Sequence, residues 1–153
     1  MIVHAPLVYY AARDRFAGFR AALIDAGLPV RSEWVREANL TEESGYRAAR
    51  EILAEKNGPS ALFAGNDVVA YGAIQAIKDA KLLIPDDISV VGFDDDPLSR
   101  YLRPPLTTVT NPAPGLGAEA ARLLINILRG RGNHCGRTVV PTTLALRGSC
   151  QAP

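Results

Sequence analysis

Two periods of hydrophobicity alternate along this chain. From Ala11 to Ala26 the apolar residues Phe16, Phe19, Leu23 and Ala26 recur at helical spacing, and Gly27 followed by Pro29 supplies the stop. Trp34-Val35-Arg36-Glu37-Ala38 alternates and predicts a short strand. Thr41 then caps a second helix with Glu42 and Glu43 in its first turn, where acids suit the positive helix end; that helix runs to about Lys56 and stops at Asn57-Gly58-Pro59. Ser60 to Ala64 reads as a buried strand. Asn66 caps a third helix whose inner face carries Val69, Gly72, Ala73, Ala76, Ile77 and Ala80, residues small enough for close approach to a sheet. Beyond the Pro85-Asp86-Asp87 turn, the β-branched run Ile88-Ser89-Val90-Val91-Gly92-Phe93 has the composition of a buried parallel strand, and it halts at Asp94-Asp95-Asp96.

Residues 100–105 are irregular and proline-rich. Leu106 to Thr110 predicts a further strand, and Pro114 to Arg129 a helix with Leu116, Ala120, Leu123, Leu124 and Ile127 as its apolar set. A polar loop at 131–136 leads to a last strand, Thr138 to Leu146, placed at a sheet edge by Pro141; the tail after Arg147 reads as short and loose. The succession α-β-α-β-α-β implies an α/β fold, a doubly wound parallel sheet with right-handed crossovers.

Composition narrows the function classes. At 153 residues the chain is one domain or a large part of one, 48% hydrophobic and 22% charged. Lys and Arg (17) nearly cancel Asp and Glu (16), so charge gives no case for direct nucleic-acid binding. No apolar run approaches the ~18 residues of a membrane span, and the first residues lack the features of a signal peptide. Cys135 and Cys150 have neither C-x-x-C spacing nor a histidine pattern, which reads as free thiols in a reducing cytoplasm rather than a metal site. His4 and His134 are isolated and read as surface residues.

Candidate chemistry gathers where strands end and helices begin. Arg13 and Arg15 lie in the first helix, Leu40 after the Trp34 strand, Asn66 and Asp67 after the Leu62 strand, and Asp94 to Asp96 after the Val90 strand. Parallel βα units put all of these along one rim, outside the carboxyl ends of the strands. Singly each has a plain explanation: the arginines as surface ion-pair partners, Asn66 as a cap, the acids as a solvated turn. Together they offer fixed donors, a mixed amide and two-oxygen acceptors, a set suited to a polyhydroxylated or otherwise polar small molecule. Gly115-Leu116-Gly117-Ala118-Glu119-Ala120 fits a dinucleotide fingerprint, but the acid such a site needs about 20 residues on is replaced by His134 to Arg137, so the glycines read as a helix start. There is no nucleophile elbow, Walker loop, H-E-x-x-H or calcium loop, and no acidic pair after a first strand of the kind a phospho-accepting domain carries.

Several motifs together resemble the effector-binding core of bacterial LacI/GalR-type transcriptional regulators. They are residues 12–19 (ARDRFAGF), 43–46 (ESGY), 59–67 (PSALFAGND), 84–95 (IPDDISVVGFDD) and 104–109 (PPLTTV), and the resemblance runs from about Ala11 to Ser149. It implies a periplasmic-binding-protein-like type I core of two α/β lobes closing over a ligand, of which this chain is the C-terminal half. Residues 1–105 would form most of the C-terminal lobe, 106–130 would cross into the N-terminal lobe, and 131–153 would hold the return loop, last strand and tail. The DNA-binding headpiece would be absent, so operator contact could come only through that missing part. By position, Arg15, Asn66 and Asp94, with Arg13 nearby, would hold the effector, a sugar or other small polar metabolite. Leu40 stands where many sugar-binding members carry an aromatic, and Tyr71, Tyr101 and Leu102 fall in the dimer face. The resemblance implies a cytoplasmic sensor without catalysis, cofactor or membrane contact. It also leaves the Leu116–Ile127 helix face to be covered by another chain, through a dimer or swapped oligomer. A transport-type sugar-binding protein and an α/β enzyme are the alternatives.

Overall fold

The computed structural model describes residues 1–55, 58–131 and 138–152. In chain order it contains β1 (Ile2–His4), α1 (Tyr10–Asp25), a 3-10 turn (Ser32–Trp34), β2 (Val35–Glu37), α2 (Glu42–Leu53), β3 (Ala61–Ala64), α3 (Asp67–Asp79), β4 (Ser89–Asp94), a second 3-10 turn (Pro97–Arg100), β5 (Thr107–Thr110), α4 (Ala113–Leu128) and β6 (Leu144–Ala145). One six-stranded sheet runs in the order β2-β1-β3-β4-β5-β6. It is parallel from β2 to β5, and β6 closes the edge antiparallel to β5. The α/β parallel sheet expected from the pattern is the observed fold.

The two faces of the sheet are covered unequally. Strand alternation sends Leu62, Ala64 and Val90 into full burial beneath α2 and α3, which supply Ala48, Ala49, Ile52, Val69, Ala73 and Ile77. On the other face Phe63, Val91 and Phe93 are only half-buried. There α1 covers part of the surface, with Phe19 stacked on Phe63 at 6.1 Å between ring centroids. Glycine lets α2 and α3 approach closely: a Cβ on Gly72 would lie 1.9 Å from the carbonyl oxygen of Glu42, and one on Gly45 would lie 2.2 Å from that of Val69. The α2 start behaves as expected, with Thr41 Oγ1 accepting the Ser44 amide at 3.2 Å and Ser44 Oγ accepting the Thr41 amide in return.

Several expectations need correction. The sheet begins one strand earlier than the pattern implied, because β1 is only three residues long and wholly buried, so it shows no alternation. His4 ends that strand and is buried, not at the surface; its ring packs 5.0 Å from that of Phe16. Ala26 is exposed beyond the end of α1, and Trp34 belongs to the 3-10 turn preceding β2. The helix projected to Lys56 ends at Leu53, and Lys56 and Asn57 lie outside the described residues. The stretch expected to cross toward a second lobe from residue 106 first contributes β5 to this sheet, paired with β4 from Val91↔Thr107 to Asp94↔Thr110.

The last strand is two residues long, not nine, and the tail after it is fastened rather than loose. Ser149 is fully buried: its Oγ donates to Val90 O at 2.6 Å and accepts the Thr107 amide at 2.8 Å, while its carbonyl accepts the Val90 amide at 2.7 Å. Arg131 to Gly136, with His134 and Cys135, falls almost entirely outside the described residues. Gly115 and Gly117 lie in the opening turns of α4, as a helix start requires.

Because the Gly72 contact is with backbone, Gly72→Ala is expected to destabilise the chain by about 1–3 kcal/mol or more. Gly117→Ala, with open space around it, is expected to be neutral or slightly stabilising. Urea unfolding of both variants checks this.

Candidate functional site

Parallel strands that begin together also end together, and here their carboxyl ends deliver His4-Ala5 from β1, Gly65-Asn66 from β3, Asp94 from β4 and Asn111 from β5 to one edge. Arg15, from the second turn of α1, reaches over this edge. Its Nη1 donates to Gly65 O at 2.6 Å, its Nη2 stands 3.7 Å from Asp94 Oδ1, and its guanidinium carbon lies 3.6 Å above the Phe93 ring centroid. Asp94 Oδ1 also accepts Asn111 Nδ2 at 3.3 Å. Asn66 caps α3 by accepting the Val69 amide on Oδ1 at 2.9 Å, which leaves its amide Nδ2 as the group it can offer outward. Arg15, Asn66 and Asp94, far apart in the chain, therefore meet at one mouth of the sheet.

The Arg15–Asp94 pair is desolvated more than it is satisfied. Burial pushes the Asp94 carboxyl up from the ordinary carboxylate value, and Arg15 and the Asn111 amide only partly offset that. Burial likewise lowers Arg15, with Asp94 opposing. Both partners are thus shifted against their charged forms, as expected of a partly buried ion pair whose 3.7 Å separation is too long for a direct hydrogen bond between them. Perturbed ionisable groups that meet at the carboxyl edge of a parallel sheet mark a candidate ligand site.

The three consecutive acids divide three tasks. Asp94 (φ 108°) faces the rim. Asp95 (φ 52°) forms a close ion pair with Arg147 and another with Arg100 at 3.2 Å. Burial pushes the Asp95 carboxyl up, but the hydrogen bonds from these two arginines outweigh it and hold the group below its ordinary value. Asp96 opens the second 3-10 turn by accepting the Leu98 amide and the Tyr71 hydroxyl, both at 2.9 Å.

Asp67 does not belong with the rim. It is 1% exposed and accepts Thr108 Oγ1 at 2.7 Å, Ser99 Oγ at 2.8 Å and the Asp96 amide at 2.8 Å. A Cβ on Gly92 would fall 2.1 Å from its Oδ1, so the glycine of the VVGFD run is there to admit this carboxylate.

Other predicted positions are less closely gathered. Arg13 is exposed and braces the β1–α1 loop, donating to Leu7 O at 3.1 and 3.3 Å and lying over Tyr10, so it does not join Arg15. Leu40 (φ 60°) stands on the β2–α2 loop at 39% exposure. Tyr71 is half-buried and turned inward on Asp96 and Ser99, with burial first among the causes that push its hydroxyl pKa up. Leu102 packs at the margin of the core, while Tyr101 is 74% exposed.

Two contributors escaped the sequence reading. Asn111 directly follows β5 at the same edge, so the strand-end rule would have found it had it been applied to that strand. Phe93, the stacking partner of Arg15, looked like strand core. An apolar groove of about 420 Å³, lined by Phe19, Leu23, Leu28, Trp34 and Phe63 among others, opens toward the starts of the strands rather than the rim. It lacks the converging polar groups of a specific site.

Among the described residues no group of His, Cys, Asp and Glu is arranged to hold a metal ion, and no helix is long and apolar enough to cross a membrane. Cys150 is free, its Sγ 3.1 Å from Val90 O.

Residues 2–150 match the family described as periplasmic binding protein-like domain. The chain belongs to this family. Within it, the similarity is to LacI/GalR-type regulators. The HTH-type transcriptional repressor PurR of Erwinia tasmaniensis is 40% identical over 140 residues, covering 91% of this chain and 41% of that one. PurR of Pasteurella multocida is 36% identical over 151 residues, covering 99% and 45%. Among solved structures, the lac repressor dimer bound to operator and the anti-inducer ONPF superposes with a TM-score of 0.92 at 31% identity, over 99% of this chain and 52% of that one. The transcriptional regulator CelR–cellobiose complex gives 0.91 at 32% identity, over 97% and 45%. The chain thus spans about half the length of the relatives it matches.

A carboxyl whose folded-state pKa is raised contributes stability below its unfolded pKa and loses it as pH rises through the folded value. Asp94→Asn is therefore expected to unfold at higher temperature than the wild type at pH 7, the gap closing below about pH 3.9. Thermal unfolding followed by circular dichroism from pH 3 to 7 reads both limits.

Proposed function

We propose that this chain is the effector-binding portion of a LacI-type transcriptional regulator, sensing a sugar or other small polar metabolite in the cytoplasm. The observation that carries the reading is the Arg15–Asp94 pair, held 3.7 Å apart at the carboxyl edge of a parallel sheet, with Asn66 and Asn111 on the same edge. Ligand hydroxyls would supply the hydrogen bonds the pair lacks, each contributing about 1.5–3 kcal/mol where a charge is involved. The cellobiose complex of CelR, similar over nearly the whole chain, supports a small hydroxylated ligand. Leu40, on the β2–α2 loop, and Arg13, in the first turn of α1, would lie at the outer margin of the ligand.

In this reading Tyr101 and Leu102, with Tyr71 bonded to Asp96 and Ser99 of the preceding loop, belong to a surface that pairs two copies, and the chain performs no chemistry on its ligand. Residues 1–110 form the lobe that carries the grip, α4 lies beyond it in the direction of a second lobe, and the segment from β6 onward returns. Effector binding would bias the relation between lobes and, through a DNA-binding headpiece, the affinity for operator.

A thermal-shift panel of sugars and nucleosides tests the sensing role. A true effector is expected to raise the unfolding temperature, and Asp94→Asn to weaken its binding by about tenfold or more. No stabilising compound across the panel would remove this reading. The oligomeric state is tested separately. α4 has no buried residue, and Leu116, Leu123, Leu124, Ile125, Ile127 and Leu128 are all exposed. Each large apolar side chain left in water forgoes roughly 1.5–3 kcal/mol. Sedimentation equilibrium is expected to show a dimer or larger species, and a compact monomer with α4 dissolved would contradict it.

A further inference from the structure

We propose that α4 of one copy lies in the apolar groove beside α1 of a second copy, each surface covering the other. The contact is independent of the sensing role. It rests on the covering of α4 by another chain, and names the surface that does it.

The groove, about 420 Å³, is walled by Phe19 and Leu23 of α1, Leu28 of the loop after it, Trp34, and Phe63 and Val91 of the sheet. It follows from the topology. α1 bridges β1 to β2 on this face, whereas α2 and α3, which bridge β2 to β3 and β3 to β4, lie on the other. The face over β3 and β4 is thus one helix short, and Phe63 and Val91 stay half-buried there with Leu28 exposed beside them. Trp34 is a second sign of a missing partner: its Nε1 is buried with no acceptor among the described residues.

α4 carries what that face needs. Leu116, Ala120, Leu123, Leu124 and Ile127 recur at i, i+4, i+7, i+8 and i+11, the spacing with which an amphipathic helix fills an apolar groove, and the four large ones are exposed. Glu119, Arg122 and Asn126 share a polar stripe along one margin of that face, so α4 can be covered on one side and remain wet on the other. The borders match in charge as well. Glu119 pairs with Arg122 on α4, while Arg31 pairs with Glu33 at 4.0 Å beside the groove and lies over the Trp34 ring. Exposed pairs of this kind add little affinity, but exchanging partners across the contact sets its register. Because α4 leaves from the carboxyl edge and the groove opens toward the strand starts, the contact is heterologous, and it uses neither Tyr101 nor Leu102.

Trp34 is the only tryptophan of the chain, so its fluorescence reports on the groove. Wild-type emission is expected to move to shorter wavelength as concentration is raised through the association, and Leu124→Glu is expected to abolish the move. The deciding arm works in trans. A Trp34→Phe chain, without tryptophan emission but with α4 intact, is titrated into the Leu124→Glu chain and is expected to restore the wild-type shift saturably. A chain carrying both substitutions is the control and is expected to restore nothing. Circular dichroism confirms that each chain is folded, and Leu123→Glu replaces Leu124→Glu should the latter fold poorly. Wild-type emission indifferent to concentration, or no recovery when folded chains are mixed, would overturn the groove contact. So would an emission change in Leu124→Glu that is the same at every concentration, since it would place α4 in the groove of its own chain. Sedimentation separates this failure from that of the underlying expectation: a dimer with unmoved Trp34 emission strikes the groove contact alone, and a monomer strikes both.

Discussion

Asp67 sits 1% exposed beneath the β4–β5 edge. A carboxylate so placed costs several kcal/mol unless donors surround it. Three do: a hydroxyl from β5, a hydroxyl from the second 3-10 turn and the amide of Asp96. They come from segments that the sheet alone would not hold together. Satisfying Asp67 therefore draws the 94–99 loop down onto the start of α3, and Tyr71, one turn further along α3, bonds the same loop at Asp96 and Ser99. With the loop fixed at its far end, the chain must turn through left-handed backbone at Asp94 and Asp95 to leave β4. That turn is what aims Asp94 at Arg15 and Asp95 at Arg147. The rim geometry is thus a consequence of satisfying a buried acid, and Gly92 is the residue that makes room for it.

How much of this was legible depended on whether the cause was local. Thr41 and Asn66 cap helices through bonds to residues three positions on, and both could be read from the sequence. Asp94 could be placed because a β-branched run that stops at an acid is a strand end, and parallel strands share one edge for their ends. Asp67 was misplaced because an acid in the first turn of a helix looks the same whether it faces water or a buried hydroxyl. What distinguishes the two is Thr108, 41 residues away. The tail failed for the same reason: Ser149 is held by Val90, 59 positions earlier, and by Thr107, 42 earlier. β1 failed differently, since three fully buried residues carry neither alternation nor length.

The unequal cover of the sheet is consistent with a chain that spans about half of its relatives. One face is closed by α2 and α3, whose glycine contacts admit no further side chain. The other carries α1, on which only Ala12 is fully buried, and half-buried aromatics from β3 and β4. α4 leaves the sheet after β5 with apolar residues on several sides and none buried. Helices apolar around most of their circumference are normally enclosed by protein. The closed face is therefore where the fold's own stability resides, and α1 and α4 are the elements whose surroundings determine what state the chain adopts in solution.

The Arg15–Asp94 pair lies between these two regimes. Asp94 is held in place from the well-packed side, through Asp67 and the 94–99 loop, while Arg15 comes from α1 on the thinly covered side. A pair assembled across that divide can be pre-aimed without being tightly closed, and its 3.7 Å separation is what such an origin produces. Tighter closure would neutralise both groups against each other and leave less for a ligand. Wider separation would leave two desolvated charges with nothing to offset their burial. An intermediate spacing, with Asn111 and Phe93 supporting the two partners from β5 and β4, keeps both charges oriented while hydrogen-bonding capacity remains free. On the proposed reading, a ligand whose hydroxyls bridge Arg15 and Asp94 would gain less from added contacts than from completing a pair whose partial desolvation the fold has already imposed.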